Sequence, residues 1–411
     1  MNNKRPEILS PAGDMERFLA AVSFGCDAVY LAGKSFGMRS SPGNFSDEEL
    51  KKAIDIAHSK GIKVYITCNT LVRNNEIEEL KEFVKKAESF KADAFIVADI
   101  GVMNIIKRNA PSVDIHISTQ AGIVNYETAR AFYDMGAKRV VLARELTLEE
   151  IAEIRQKTNS SLELETFVHG AMCMSFSGRC LLSNYLTNRD ANRGDCSQPC
   201  RWKYYLNEET RPGIYFPVEQ TKEGTYIFNS RDMCMIEHIK ELTEAGISSF
   251  KIEGRAKSAY YVAVVTNAYK QALNEYLKEQ CKADYKLSKW ILDEVDKISH
   301  REYSKGFYFG YEPGQVITNG GYIRKYDVVG IVQDCKQGQI EVLQRNCFNE
   351  GDVLDVLSLD GRAYELKVEE LFDKDHNKTQ RANKAAQTVY IKSEKVFPTG
   401  SLLRKKRETA D

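Results

Sequence analysis

Four of the ten cysteines in this 411-residue chain, Cys173, Cys180, Cys196 and Cys200, fall within one short stretch. Six residues separate the first pair and three the second, and Gly170, Gly178 and Gly194 stand beside them. Glycine lets a backbone fold tightly around a bound group, and clustered thiolates are donors for zinc or an iron–sulfur cluster. Structural zinc sites favour short spacing at both ends, and only Cys196 and Cys200 comply. Spacing alone therefore leaves zinc and iron–sulfur open, beside the simpler readings of a redox pair or buried free thiols. Cys26, Cys68, Cys281, Cys335 and Cys347 are scattered and read as core or surface bystanders. Just upstream of the cluster, Glu165 and His169 would serve as acid or base if either faces a cavity.

The rest of the sequence reads as a frame for this segment. Between residues 7 and 255, short apolar, β-branched runs alternate with helix-period segments, the pattern of parallel βα units. Strands are predicted at 7–10, 28–32, 63–69, 94–99, 114–120, 139–144, 162–169 and 249–253. Helices are predicted between them at 15–24, 47–59, 77–89, 102–109, 127–134, 148–157 and 233–244, with Asp14, Ser46, Asn125 and Thr147 as N-cap candidates. Eight strands in this order predict an α/β fold, a (β/α)8 TIM-like barrel over 1–305, against the competing topology of an open doubly wound sheet. Barrel chemistry sits at the C-terminal strand ends. Here those ends are polar: Ser10, Asn69, Asp99, Ser118 with Gln120, Arg144 with Glu145, His169, and Glu253 with Arg255.

The connection after the seventh strand, about 170–230, far exceeds the roughly two to six residues usual for such a link, and it carries the cysteines. After helices at 259–279 and 286–298 the composition changes. From 306 to 411, short alternating runs such as DVVGIVQD and QIEVLQRN predict a small C-terminal all-β domain. It ends in RKKR, Arg404 to Arg407, which reads as a solvated basic tail.

Composition narrows the function class. Lys+Arg and Asp+Glu both number 58, so bulk charge exerts no pull toward nucleic acid and an RNA site must rest on a local patch. No apolar run approaches a membrane span, and MNNKRPEILSPAGD has no secretory h-region, which predicts a cytoplasmic protein with no membrane partner. Disulfides are then a poor default. There is no H-E-x-x-H helix and no G-x-S-x-G elbow, and the six histidines form no evident pair with a nucleophile.

ETFVHGAMCMSFSGRCLLS, with PEILSPAGD, DAVYLAG, GDCSQPCRW and SFKIEGR, resembles the collagenase-like peptidase family U32. The likeness covers essentially the whole barrel and is greatest to the branch linked to 5-hydroxylation of the wobble uridine of tRNA, which uses prephenate and no molecular oxygen. The resemblance implies a barrel, a C-terminal β-domain and a 4Fe–4S cluster whose ligands match Cys173, Cys180, Cys196 and Cys200, with Cys234 as the rival for the fourth. It also implies tRNA and prephenate as partners; a homo-oligomer or a related paralogous subunit is a further expectation. Two carboxylates on prephenate call for arginine, so Arg144, Arg179 and Arg255, with Asn69 and Gln120, become substrate-binding candidates. A uridine flipped into a pocket needs stacking and basic groups at the mouth. Arg189, Arg193, Arg201, Trp202 and Lys203, flanked by Tyr185 and Tyr204, supply them. The competing functions are a collagenase-like peptidase and a noncatalytic iron–sulfur partner that binds RNA or protein.

Overall fold

A computed structural model describes residues 5–37, 43–173, 180, 182–202, 219–221, 224–226, 231–279, 285–310, 322–384 and 386–407. Strands β1 (Glu7–Pro11), β2 (Ala28–Leu31), β3 (Lys63–Cys68), β4 (Ala94–Val97), β5 (Asp114–Ile117), β6 (Arg139–Val141) and β7 (Glu163–Ala171) pair in parallel, each with the next. A short hairpin, β8 (Glu219–Thr221) and β9 (Gly224–Tyr226), and β10 (Asp232–Cys234) precede β11 (Ser249–Ile252). β11 pairs in parallel with both β7 and β1, which closes the barrel at eight strands. The predicted barrel is therefore the fold, and the open-sheet alternative is excluded.

The α-helices among the described residues are α1 (Met15–Ser23), α2 (Asp47–Ser59), α3 (Ile77–Ser89), α4 (Ile100–Asn109), α5 (Tyr126–Asp134), α6 (Leu148–Lys157), α7 (Leu182–Thr187), α8 (Ile239–Glu244), α9 (Ala259–Glu279) and α10 (Lys289–Val295). Asp14, Ser46, Asn125 and Thr147 each accept a backbone N–H of the first helical turn, as N-caps do. Apolar residues on the outer strand faces pack with the helices into one large core. A separate small cluster, including Leu9, Tyr30, Tyr65 and Ile96, lies inside the barrel.

Two predicted elements differ. Residues 233–244 are not one helix: Asp232–Cys234 runs antiparallel to the tail of β7, and only Ile239–Glu244 is α-helical. Pairing to an open strand edge outcompetes local helix preference there. The RKKR run is only partly solvated. Arg404 to Lys406 lie within β21 (Leu402–Lys406), an interior strand of the C-terminal sheet, where Arg404 is fully buried, while Lys406 and Arg407 are exposed.

That sheet follows β12 (Tyr303–Ser304), which extends the barrel sheet beyond β10. It contains β13 (Tyr326–Lys336), β14 (Gln339–Gln344), β16 (Val353–Leu357), β17 (Ala363–Lys367), β18 (Leu371–Phe372), β20 (Thr388–Lys392) and β21, in the order β17-β16-β21-β13-β14-β20-β18. β15 (Phe348–Asn349) and β19 (Arg381–Ala382) form a small adjoining pair. This domain has its own apolar core. A buried ionic knot joins it to the barrel: Arg404, fully buried, donates to both Glu294 oxygens at 2.7 and 3.1 Å and pairs with Asp355, which also accepts from Lys297 at 2.6 Å.

Candidate functional site

The barrel interior carries charge at two levels. Toward its N-terminal end, Arg139 on β6 donates to Glu165 at 2.9 Å and Glu163 at 2.6 Å on β7, and to Glu7 on β1. Lys251 on β11 donates to the other Glu165 oxygen at 2.8 Å, and its ammonium lies 4.6 Å from the Tyr30 ring centroid. Burial alone would raise the Glu165 carboxyl, but Lys251 and Arg139 outweigh it and hold the group below its usual range. His116, buried beside Tyr65, is kept neutral by burial and by the same two cations. Glu165, put forward as an acid or base, is a fully buried ion-pair partner with both oxygens engaged.

His169, the other acid–base candidate, is placed by a change of register. β7 and β11 stay in step to Phe167 opposite Lys251, then shift by one so that His169 stands opposite Ile252. A one-residue slip moves a side chain to the other face. Gly170 follows with φ +112°, where an added Cβ would lie 2.5 Å from the Glu253 carbonyl oxygen. The imidazole therefore packs outward against Tyr261 and Tyr269 of α9 and against Tyr303, with ring centroids 5.4–5.9 Å away. It is 1% exposed, and burial pushes its pKa down to about 3. Cys234, opposite it on β10, is half-buried near Tyr269, and burial pushes its thiol up to about 12.

The open, C-terminal end gathers the strand-end candidates. Arg144 donates to the Ala171 carbonyl at 2.9 Å, stacks 3.8 Å from the Phe167 ring centroid, and approaches Glu253 at 3.6 Å. Arg255, buried, donates to Thr67 at 3.4 Å and to Asn44. Asn69 donates to the Ser118 hydroxyl at 3.5 Å, and the Gln120 backbone N–H donates to the same hydroxyl at 3.4 Å. Loops after β2, β3, β5, β6 and β11 thus supply polar groups to the C-terminal end. Asn44 and Thr67 were missed by sequence reading; Thr67 ends an apolar strand, a signal that could have found it.

The cysteine loop rises from β7 on this same end. Cys173, Cys180, Cys196 and Cys200 are free thiols, exposed or half-buried. Asn192 donates its amide to the Cys180 carbonyl at 3.0 Å, and the Ser183 and Ser197 hydroxyls meet at 3.0 Å, which folds the Cys196 segment back onto α7. The Gln198 N–H donates to the Cys196 sulfur at 3.4 Å. The donor chemistry fits a thiolate-held metal group, although among the described residues no three potential ligands converge on one point. Arg189 pairs with Asp195 at 2.7 Å, and Trp202 is 41% exposed. Arg179, Lys203 and Tyr204, and the side chains of Tyr185, Arg193 and Arg201, lie outside the described residues.

In a closed parallel barrel the C-terminal mouth is where active sites sit, and the polar strand ends of this chain lie there. Residues 13–318 match the family model for peptidase family U32, and 324–404 match the model for its C-terminal domain. The chain belongs to peptidase family U32. It is similar to tRNA hydroxylation protein P1 of Bacillus subtilis, 34% identical over 98% of this chain and 95% of that protein. It is 36% identical to 23S rRNA 5-hydroxycytidine C2501 synthase of Escherichia coli over 68% of this chain and 41% of that one. A collagenase of Porphyromonas gingivalis is 30% identical over 98% of this chain and 99% of its own length.

Proposed function

We propose that this protein acts in RNA hydroxylation, in the finer form as a tRNA hydroxylase that installs the 5-hydroxyl of a wobble uridine with prephenate as co-substrate. The observation that carries the reading is the near end-to-end likeness to a protein named for tRNA hydroxylation. Supporting it, Arg144 and Arg255 follow strand ends at the C-terminal face: Arg144 donates to the Ala171 carbonyl and keeps Glu253 at 3.6 Å, a contact long enough for an incoming carboxylate to compete with, and Arg255 donates to Thr67 and Asn44. Asn69, Ser118 and Gln120 lie beside them as neutral hydrogen-bonding groups for a uracil edge.

Cys173, Cys180, Cys196 and Cys200 would hold the 4Fe–4S cluster, which would supply electron transfer or Lewis acidity next to that face. The chain's own residues have the positioning work: the arginines orient carboxylate, Phe167 and the tyrosines exclude water, and Trp202 offers a stacking surface. A peptidase would need a base on a nucleophile. Among the described residues the histidines bond only to Asp93, Glu241, Asp296 and the Arg301 carbonyl. Deleting the gene should abolish 5-hydroxyuridine in tRNA nucleosides by mass spectrometry, and a plasmid copy should restore it; an unchanged level overturns the function. Iron and sulfide analysis of anaerobically purified protein, repeated on Cys→Ala variants at 173, 180, 196 and 200, tests the cluster separately. Stoichiometric zinc without sulfide would overturn that part alone.

A further inference from the structure

The proposed reaction concerns one nucleotide, yet an RNA substrate extends well beyond it and needs a surface for its backbone. Between α10 and the C-terminal domain lies a groove of about 640 Å³, lined by Trp290, Tyr326, Arg362 and Lys406 among others. Its walls belong to different domains, but the buried Arg404–Glu294–Asp355–Lys297 knot beneath them fixes their separation. Arg362 lies 5.0 Å from the Trp290 ring, and Tyr326 stands directly across the strand pair from Lys406. Of the three acids lining the groove, Glu294 is engaged by Arg404 and Lys297 and Asp296 by Lys325 and His300, while Asp293 has no ion pair among the described residues. Arg362 and Lys406 are exposed, and among the described residues neither forms an ion pair.

From the groove a short ladder leads toward the loop that follows β11. Ile323 and His300 exchange backbone hydrogen bonds at 2.7 and 3.2 Å, so the chain from Tyr322 to Tyr326 runs antiparallel to that from Lys297 to Arg301. Each end of this ladder carries a cation on an aromatic ring, with Lys297 5.4 Å from Tyr326 and Arg301 4.9 Å from Tyr322. Tyr322, 41% exposed, also has the Lys257 ammonium 4.5 Å from its ring, and Lys257 is two residues beyond Arg255 of the open face. Lys297 and Arg301 are committed to Glu294, Asp355 and Asp232 and back the rings from beneath, whereas the exposed Arg362 and Lys406 and the half-buried Lys257 face outward. Rings that stack bases beside cations that meet phosphates are what binds single-stranded nucleic acid. An acidic protein would use the cations but not the aromatic faces.

We propose that the track from Tyr322 to the Trp290–Arg362 groove binds the RNA strand flanking the reacting nucleotide. This rests on the RNA reading above and gives that reading a second contact surface, built by the C-terminal domain. The chain has only two tryptophans, so in a full-length Trp202→Phe background Trp290 reports alone. Titration with an unmodified tRNA transcript should quench Trp290 emission with the same midpoint as fluorescence anisotropy. Arg362→Ala with Lys406→Ala should weaken tRNA binding about tenfold at physiological salt and flatten the slope of log K against log salt by about 0.7–0.9 per lost phosphate contact. A matching melting temperature controls for folding; should the double variant melt early, Lys406→Gln alone, at an exposed site, gives the salt slope. If the wild-type chain binds no tRNA, the RNA reading itself falls. If it binds tRNA with Trp290 unquenched and with an unchanged slope in the variants, the track is wrong and the RNA reading stands.

Discussion

The two levels of the barrel interior use the same residue types to opposite ends. Toward the N-terminal end, Arg139 and Lys251 meet Glu7, Glu163 and Glu165 at close range, in a layer where Arg139 is 2% and Glu165 0% exposed. At the C-terminal end, Arg144 rests on a carbonyl oxygen and an aromatic face, with its carboxylate neighbour Glu253 at 3.6 Å. A close, buried pair is expensive to open, because removing one partner leaves the other charged and dry. A longer contact at a solvent-facing mouth leaves a guanidinium able to reorganise around an incoming anion. The lower layer therefore reads as structure and the upper as site, although their composition is alike.

The strongest way to break that comparison is Glu165→Ala. It strands Arg139 and Lys251 in the barrel interior and should cost about 3–5 kcal/mol in urea unfolding, enough to lose soluble protein. Because the Glu165 carboxyl titrates below its usual range when folded, its contribution is complete above the unfolded value of 4.5 and declines as pH falls through the lower folded one. Acid unfolding of wild type should follow that direction. A Glu165→Ala variant as stable as wild type would show that the lower layer is not what holds the barrel.

Arg144→Ala should do the reverse: a small change in melting temperature and a loss of about 10- to 100-fold in kcat/KM for hydroxylation, equivalent to the ~1.5–3 kcal/mol of a hydrogen bond to a charged group. Arg144→Lys keeps the charge without the planar fork and should recover only part of it. Equal activity of all three proteins would remove Arg144 from the site. Loss of stability in step with activity would move it into the structural class beside Arg139.

Much of this arrangement is legible in the sequence because the periodicities are strong. Alternating runs mark the eight strands, and the strand-end rule finds Arg144, Arg255, Asn69 and Gln120 without knowledge of their contacts. What sequence leaves obscure depends on register and on partners far along the chain. ELETF carries two acids that alternation turns inward, but their partners Arg139 and Lys251 sit 24 and 86 residues away. Arg404 looks like the start of a solvated run, yet it is held in the domain junction by Glu294, 110 residues earlier. Asp232–Cys234 carries a helix-compatible pattern and becomes a strand because β7 outruns its parallel partners and exposes an edge.

His169 is the subtlest case, since its position at a strand end puts it in the right place and one shifted residue points it the wrong way. His169→Phe supplies the smallest expected effect and the sharpest check. The ring contacts with Tyr261, Tyr269 and Tyr303 survive the substitution, and two buried nitrogens that have no hydrogen-bond partner among the described residues are removed. Stability near neutral pH should change by less than about 1.5 kcal/mol, and hydroxylation should persist. The folded imidazole titrates near 3 against an ordinary 6.5, so protonation favours the unfolded chain. In wild type, stability attributable to His169 is complete above pH 6.5 and is lost as pH falls toward 3, at up to about 1.4 kcal/mol per pH unit. His169→Phe should flatten that limb of the curve while leaving the kcat profile unmoved. A kcat that collapses in His169→Phe, with the stability profile unchanged, would turn the imidazole back toward the open face and make it part of the chemistry.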